Sequence, residues 1–278
     1  MNAINILFKE KKENILSVYF TAGFPNLNDT NTIISELEKN GVDLIEIGMP
    51  FSDPLADGPT IQRSSEIALA NGMTIKLLFE QIKNFRNKTS EIPLIMMGYL
   101  NPVLQYGVEK FCKDASTLGI SGIIIPDLPM QEYLDEYKSI FEKYKLKNIF
   151  LITPQTSEAR IRFIDEHSDG FIYIVSSAST TGTNLSFSPS LAEGSQESYF
   201  KRIKEMKLKN PTIIGFGIHN HQTFSKACEY ANGAIIGSAF IKAIDKSEDL
   251  EKDISKFVNS ILKDASKTEL SSRVTNVV

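Results

Sequence analysis

The sequence predicts an α/β fold, a (β/α)8 TIM barrel with an extra N-terminal helix. Three observations carry that expectation. Short apolar runs rich in Ile, Val and Phe recur along the chain with helix-period segments between them, the pattern of buried parallel strands joined by crossover helices. The runs number eight, the count a closed barrel requires, whereas an open doubly wound sheet usually stops at about six. The length, 278 residues, is close to the roughly 250 typical of such a barrel, which counts as one domain.

Taken in order, residues 2–9 read as the extra short helix, placed to cover the bottom of the barrel. The strands follow as Ile15–Thr21, Val42–Gly48, Leu94–Met97, Gly122–Ile125, Ile149–Thr153, Phe171–Val175, Thr212–Gly215 and Gly233–Ile236. Each is too brief for a helix. Between them lie amphipathic segments at Asp29–Asn40, Ile75–Asn87, Val108–Leu118, Met130–Lys143, Ser157–His167, Ser195–Leu208 and Gln222–Tyr230, and Leu250–Ala265 follows the last strand. Residues 1–266 are thus expected to form one catalytic domain, and the polar stretch 267–278 a flexible tail.

Composition narrows the function. With 42% hydrophobic residues, 23% charged residues and a net charge of -4, the chain reads as soluble and globular, too balanced for electrostatic capture of nucleic acid. Its first residues lack a cationic stretch followed by an apolar core, and no later segment approaches the about 18 apolar residues of a membrane span, so a cytoplasmic location is expected. Cys112 and Cys228 are far apart and lack CxxC spacing, which points to ordinary packing in a reducing compartment.

In this fold the active site lies at the carboxyl ends of the strands. The second strand and its loop read LIEIGMPFSDPLADGPT over residues 44–60. Alternation puts Val42, Leu44 and Glu46 on one face, so Glu46 points into the barrel near its top. A carboxylate there loses solvation, which raises its pKa and suits it to acid or base work near neutral pH. Asp57 follows on a loop long enough to turn back over the mouth, while Asp53, before Pro54, reads as a turn former. Gly182, Gly217, Gly237 and Ser238, in the loops after strands six to eight, can present backbone N–H groups and a helix start to a phosphate. No dinucleotide or Walker glycine motif appears, the histidine pair His219 and His221 lacks a third metal ligand, and no lysine ends a predicted strand to form a Schiff base.

With these residues in place the sequence closely resembles the tryptophan synthase alpha chain family. The stretch from Leu44 to Pro59 carries the family signature, with Glu46 and Asp57 in its catalytic positions. Further family stretches occur in order: TAGFP at 21–25, GYLNP at 98–102, PDLP at 126–129, Thr181-Gly182, GFGI at 215–218 and GSA at 237–239. The resemblance implies a lyase that cleaves indole-3-glycerol phosphate to indole and glyceraldehyde 3-phosphate by retro-aldol acid/base catalysis. It implies Glu46 as the base for the side-chain hydroxyl and the candidate donor of the proton to indole C3, and Asp57 as the acceptor of the indole N–H. It places Tyr19, Met97, Tyr99, Ile152, Tyr173 and Phe216 along the indole pocket, and Thr181 as the residue that closes the strand-six loop.

No cofactor is expected on this chain. The resemblance implies a beta chain partner carrying pyridoxal phosphate, in an alpha2-beta2 complex. The chain departs from the family in its strand-six loop, where Ser177-Ala178-Ser179-Thr180 stands in place of a run that opens on Arg and ends on Gly-Val, and where residues 184–196 are longer than usual. A rival reading is a non-catalytic subunit that binds ligand only to activate its partner; possession of both Glu46 and Asp57 argues against it.

Overall fold

The structure, a computed structural model, describes residues 1–86, 92–176, 193–215 and 217–263. Among these residues nine parallel strand segments form one sheet: β1 (Ile15–Thr21), β2 (Leu44–Gly48), β3 (Leu94–Met97), β4 (Ile120–Ile124), β5 (Lys147–Asn148), β6 (Phe150–Ile152), β7 (Ile172–Val175), β8 (Thr212–Gly215) and β9 (Gly233–Ile236). They are ordered β5-β4-β3-β2-β1-β9-β8-β7-β6. The two outermost segments, β5 and β6, are halves of one extended run interrupted at Ile149, whose N–H still donates to the Ile123 carbonyl at 2.9 Å. β5 pairs with β4 and β6 with β7, so the barrel is nearly closed through this single stretch. The expected eight strands are all present, the fifth in two pieces.

The fifth expected strand, Ile149–Thr153, starts two residues earlier and is split, and β7 starts at Ile172 rather than Phe171. β4 and β2 start elsewhere than expected for local reasons. β4 starts at Ile120, with Ser121 and Gly122, weak strand formers, inside it. β2 starts at Leu44, because Asp43 just before it is occupied: its carboxylate accepts the Leu16 N–H at 2.8 Å and the Lys11 ammonium at 2.6 Å.

The helices are α1 (Ala3–Glu10), α2 (Thr30–Lys39), α3 (Pro59–Ala70), α4 (Ile75–Arg86), α5 (Leu100–Tyr106), α6 (Val108–Thr117), α7 (Met130–Glu132), α8 (Lys138–Lys143), α9 (Glu158–His167), α10 (Glu193–Glu205), α11 (His221–Cys228), α12 (Ser238–Ile244) and α13 (Leu250–Leu262), with a π-helical turn, Tyr133–Tyr137, joining α7 to α8. Sequence periodicity does not find α3 or α5. The buried face of α3 is half polar, with Ser64 and Ser65 beside Ile61 and Ala68, so its apolar stripe is broken. In α5 Pro102 sits in the first turn, where a missing N–H is harmless, yet it reads as a breaker.

α1 closes the bottom as expected. The Asn2 side chain caps it by accepting the Ile4 N–H and donates to the Ser121 carbonyl at 2.8 Å, Ile4 is fully buried, and the Phe8 ring lies 5.9 Å from that of Phe171. It thereby ties the start of β4 to the approach to β7 across the barrel floor. β1, β2 and β7 to β9 are buried along their whole lengths, as strands enclosed by a helix ring must be.

Candidate active site

Parallel pairing sets Tyr19 beside Glu46 and Ser17 beside Leu44, so Ser17, Tyr19, Leu44 and Glu46 share one face of the β1–β2 pair. That face is the interior. Tyr173 stands on β7, three places from β1 in the sheet, yet its buried phenol feels the charges of Glu46 and Asp57. Such contact is possible only across the lumen.

Glu46 has no solvent exposure. Its Oε1 accepts the Ser17 hydroxyl at 3.0 Å, and its Oε2 has no hydrogen-bond partner among the described residues. Burial penalises the charged carboxylate and raises its pKa to about 8, against a smaller lowering by Ser17. At neutral pH Glu46 is therefore a carboxylic acid.

The loop after β2 brings Asp57 to the same chamber. A turn closes it, the Asp57 N–H donating to the Pro54 carbonyl at 3.2 Å, and the Gln62 side chain holds the Asp57 carbonyl at 2.8 Å from the first turns of α3. Tyr99, in the loop after β3, donates its hydroxyl to Asp57 Oδ2 at 2.9 Å and accepts the Ala56 N–H at 2.9 Å. Burial raises the Asp57 pKa to about 6 and the Tyr99 bond partly offsets it. Asp57 is thus ionised where Glu46 is protonated. Two carboxyl groups with pKa values set apart by their surroundings can serve as acid and as anionic acceptor at one pH.

Two tyrosines roof and wall this chamber. The Tyr19 hydroxyl lies over Gly48, the last residue of β2, and the Tyr173 hydroxyl over Gly215, the last of β8; a methyl group on either glycine would stand 2.2 Å or 2.1 Å from that oxygen. Glycine at these strand ends lets an aromatic ring cross the backbone. Behind Tyr19, Thr21 bonds Ser64 at 2.7 Å, and Ser64 donates to the Ile61 carbonyl at 2.8 Å. Since Ser64 spends its one proton on Ile61, Thr21 donates to Ser64, and β1 is thereby fastened to α3.

The other expected site residues divide in two. Met97 ends β3 half-buried, Ile152 ends β6 fully buried, and Gly217, Gly237 and Ser238 follow β8 and β9, Ser238 opening α12. Gly237 lies within 3.4 Å of the Tyr19 ring as measured from where its Cβ would be. Thr181, Gly182 and Phe216, like residues 177–192 of the strand-six loop and the tail 267–278, lie outside the described residues.

Asp53 is exposed and accepts the neighbouring Ser52 hydroxyl at 2.5 Å, well apart in role from Asp57. His221 has a structural partner: its Nδ1 meets the Ile261 carbonyl at 2.7 Å, so it carries the proton there and pins α11 to α13. Sequence reasoning did not single out Ser17 or Gln62. Strand alternation was the available signal for Ser17, which lies two residues before Tyr19 on the same face.

The fold and the site define the class, a TIM-barrel enzyme with two carboxyl groups, the buried Glu46 and the half-buried Asp57, in one chamber at the carboxyl ends of the strands. A profile of the tryptophan synthase alpha chain matches residues 6–269. The chain belongs to the tryptophan synthase alpha chain family, and it is a carbon–carbon lyase of tryptophan biosynthesis. It is 62% identical over 261 residues to the tryptophan synthase alpha chain of Flavobacterium psychrophilum, covering 94% of this chain and 100% of that one. Its identity to the Flavobacterium johnsoniae chain is 63% over 247 residues, 89% of this chain and 95% of the relative. The crystal structure of the alpha chain from Legionella pneumophila subsp. pneumophila superposes with a TM-score of 0.83 at 32% identity, covering 94% and 96% of the two chains.

Proposed function

We propose that Glu46 and Asp57 together carry the family's reaction, cleavage of indole-3-glycerol phosphate to indole and glyceraldehyde 3-phosphate. What supports this most is that both carboxyl groups face one chamber with different partners, Ser17 on Glu46 and Tyr99 on Asp57, and burial raises the Glu46 pKa to about 8 and that of Asp57 to about 6, so that one can be protonated where the other is ionised.

The protons balance. Glu46, protonated, gives its proton to indole C3 and becomes a carboxylate, which turns the ring into an electron sink. Asp57, ionised, accepts the indole N–H and stabilises the positive charge on the ring. The Glu46 carboxylate then removes the proton from the hydroxyl next to the scissile bond. The bond's electron pair returns to the ring, the hydroxyl carbon becomes the aldehyde, and Glu46 is protonated again.

Tyr19, Met97, Tyr99, Ile152 and Tyr173, with Phe216, form the walls for the flat ring in this reading, and the hydroxyl of Tyr99 has the additional task of orienting Asp57. Gly217, Gly237 and Ser238, with Gly182, offer backbone donors to the phosphate. The chain itself needs no cofactor. Its partner is a beta chain that holds pyridoxal phosphate and consumes the indole, in a cytoplasmic alpha2-beta2 assembly. No helix among the described residues is long and apolar enough to cross a membrane.

The test is to incubate the full chain, alone and with a beta chain, with indole-3-glycerol phosphate and to measure indole. Wild type should release indole and Glu46→Gln should not; a variant as active as wild type would remove Glu46 from the mechanism.

A further inference from the structure

We infer that Ser17 is a positioning residue for Glu46, fixing the rotation of its carboxyl group so that the proton to be transferred rests on Oε2. The inference deepens the proposed acid role of Glu46 and rests on it. Ser17 and Glu46 are both without solvent exposure, on adjacent strands and on the same interior face. The serine lies one rung below Tyr19, so the Glu46 carboxyl reaches diagonally across the strand boundary to meet its hydroxyl at 3.0 Å.

A neutral carboxyl group has one carbonyl oxygen and one hydroxyl oxygen. With the Ser17 hydroxyl donating to Oε1, that oxygen is the carbonyl and the proton sits on Oε2. Oε2 is also the oxygen with no partner among the described residues. An unpaired buried donor is costly unless a ligand supplies the acceptor, and the substrate carbon to be protonated is that acceptor in the mechanism above. After transfer the same serine still donates to Oε1 of the carboxylate, so Glu46 keeps its orientation for the second step. The groups facing Glu46 from the other elements are the phenols of Tyr19 on β1 and Tyr173 on β7, and Asp57 in the loop after β2 acts on both phenols as well. None of these supplies a cation to hold the carboxylate, which leaves Ser17 as the group that lowers its pKa.

The experiment compares wild type, Ser17→Ala, Ser17→Thr and Glu46→Gln as full chains in the indole-release assay across pH, with circular dichroism as the check on folding. Ser17→Ala should lower kcat by about 10- to 100-fold with little change in KM, since a hydrogen bond to a charged group is lost, and should move the basic limb of the profile upward by about one pH unit. Ser17→Thr, which keeps the hydroxyl, should restore both. A folded Ser17→Ala with wild-type kcat and an unmoved basic limb overturns the inference. So does a Ser17→Thr enzyme that is folded and as impaired as Ser17→Ala, because packing rather than the hydroxyl would then be at issue. Should Ser17→Ala not fold, the Ser17→Thr profile decides alone: a basic limb at the wild-type position supports the inference and a displaced one overturns it. If wild type releases no indole, or Glu46→Gln matches it, the acid role itself has failed instead.

Discussion

The Tyr99 hydroxyl donates to the Asp57 carboxylate at 2.9 Å while accepting the N–H of Ala56 at the same distance. One phenol, in the loop after β3, thereby fixes both the carboxylate and the backbone of the loop after β2. Tyr99→Phe breaks both bonds without emptying the space. The expected result is a fall in kcat/KM of about 10- to 100-fold. The acidic limb should move above pH 6, because the bond to Tyr99 is what partly lowers the Asp57 pKa. Steady-state kinetics across pH check this; an unmoved limb would show that Tyr99 does not govern Asp57.

The pH dependence of the wild-type enzyme should be bell-shaped. The proposed mechanism needs Asp57 ionised and Glu46 protonated in the free enzyme, and burial raises their pKa values to about 6 and about 8. The rate parameter kcat/KM, which reports the free enzyme, should therefore fall below about pH 6 and again above about pH 8. A profile flat through pH 9 would contradict an acid role for Glu46.

Glu46→Gln should lose activity by about 10²- to 10⁴-fold, the usual contribution of a general acid or base. The same change should stabilise the fold at alkaline pH. The folded chain retains the Glu46 proton up to about pH 8, whereas the unfolded chain releases it near the ordinary 4.5. Wild-type stability therefore declines between those values and levels off above about pH 8. The glutamine variant lacks that slope. Urea unfolding near pH 5 should give similar stabilities, and near pH 9 the variant should be ahead by a few kcal/mol. Parallel curves for the two proteins would show that burial does not hold the proton.

Gly48→Ala should destabilise the chain by about 1–3 kcal/mol, the usual cost of overpacking, because the new methyl would stand 2.2 Å from the Tyr19 hydroxyl oxygen. Adding Tyr19→Phe should recover only part of the loss, since the ring carbon Cζ would still lie 2.6 Å away. Thermal melts of the single and double variants measure the coupling. Full recovery in the double variant would mean the ring tilts freely over the strand.

Much of this was readable from residue order. Glu46 lies in an apolar alternating strand, and that pattern alone places a carboxylate inside a barrel near its carboxyl end. The turn that returns Asp57 runs from Pro54 to Asp57, and Asp53, expected to bond backbone donors in the turn, instead accepts the Ser52 hydroxyl. The helices α3 and α5 were not legible, because buried serines in one and a first-turn proline in the other disguise the period. The role of His221 was hidden for a different reason: its partner, the Ile261 carbonyl, is forty positions away in the chain.

The sequence by itself determined the barrel, the face on which Glu46 sits and the loop that returns Asp57, because strand periodicity and turn chemistry are local properties. Only the tertiary structure decided the charge states that make the pair useful. Burial of Glu46 depends on strands from the whole ring, it accepts a hydrogen bond from Ser17 on a neighbouring strand, and the Asp57 carboxylate accepts one from Tyr99 on a different loop. A pKa reflects the free energy of a charge in its surroundings, and those surroundings exist only after distant segments have packed together.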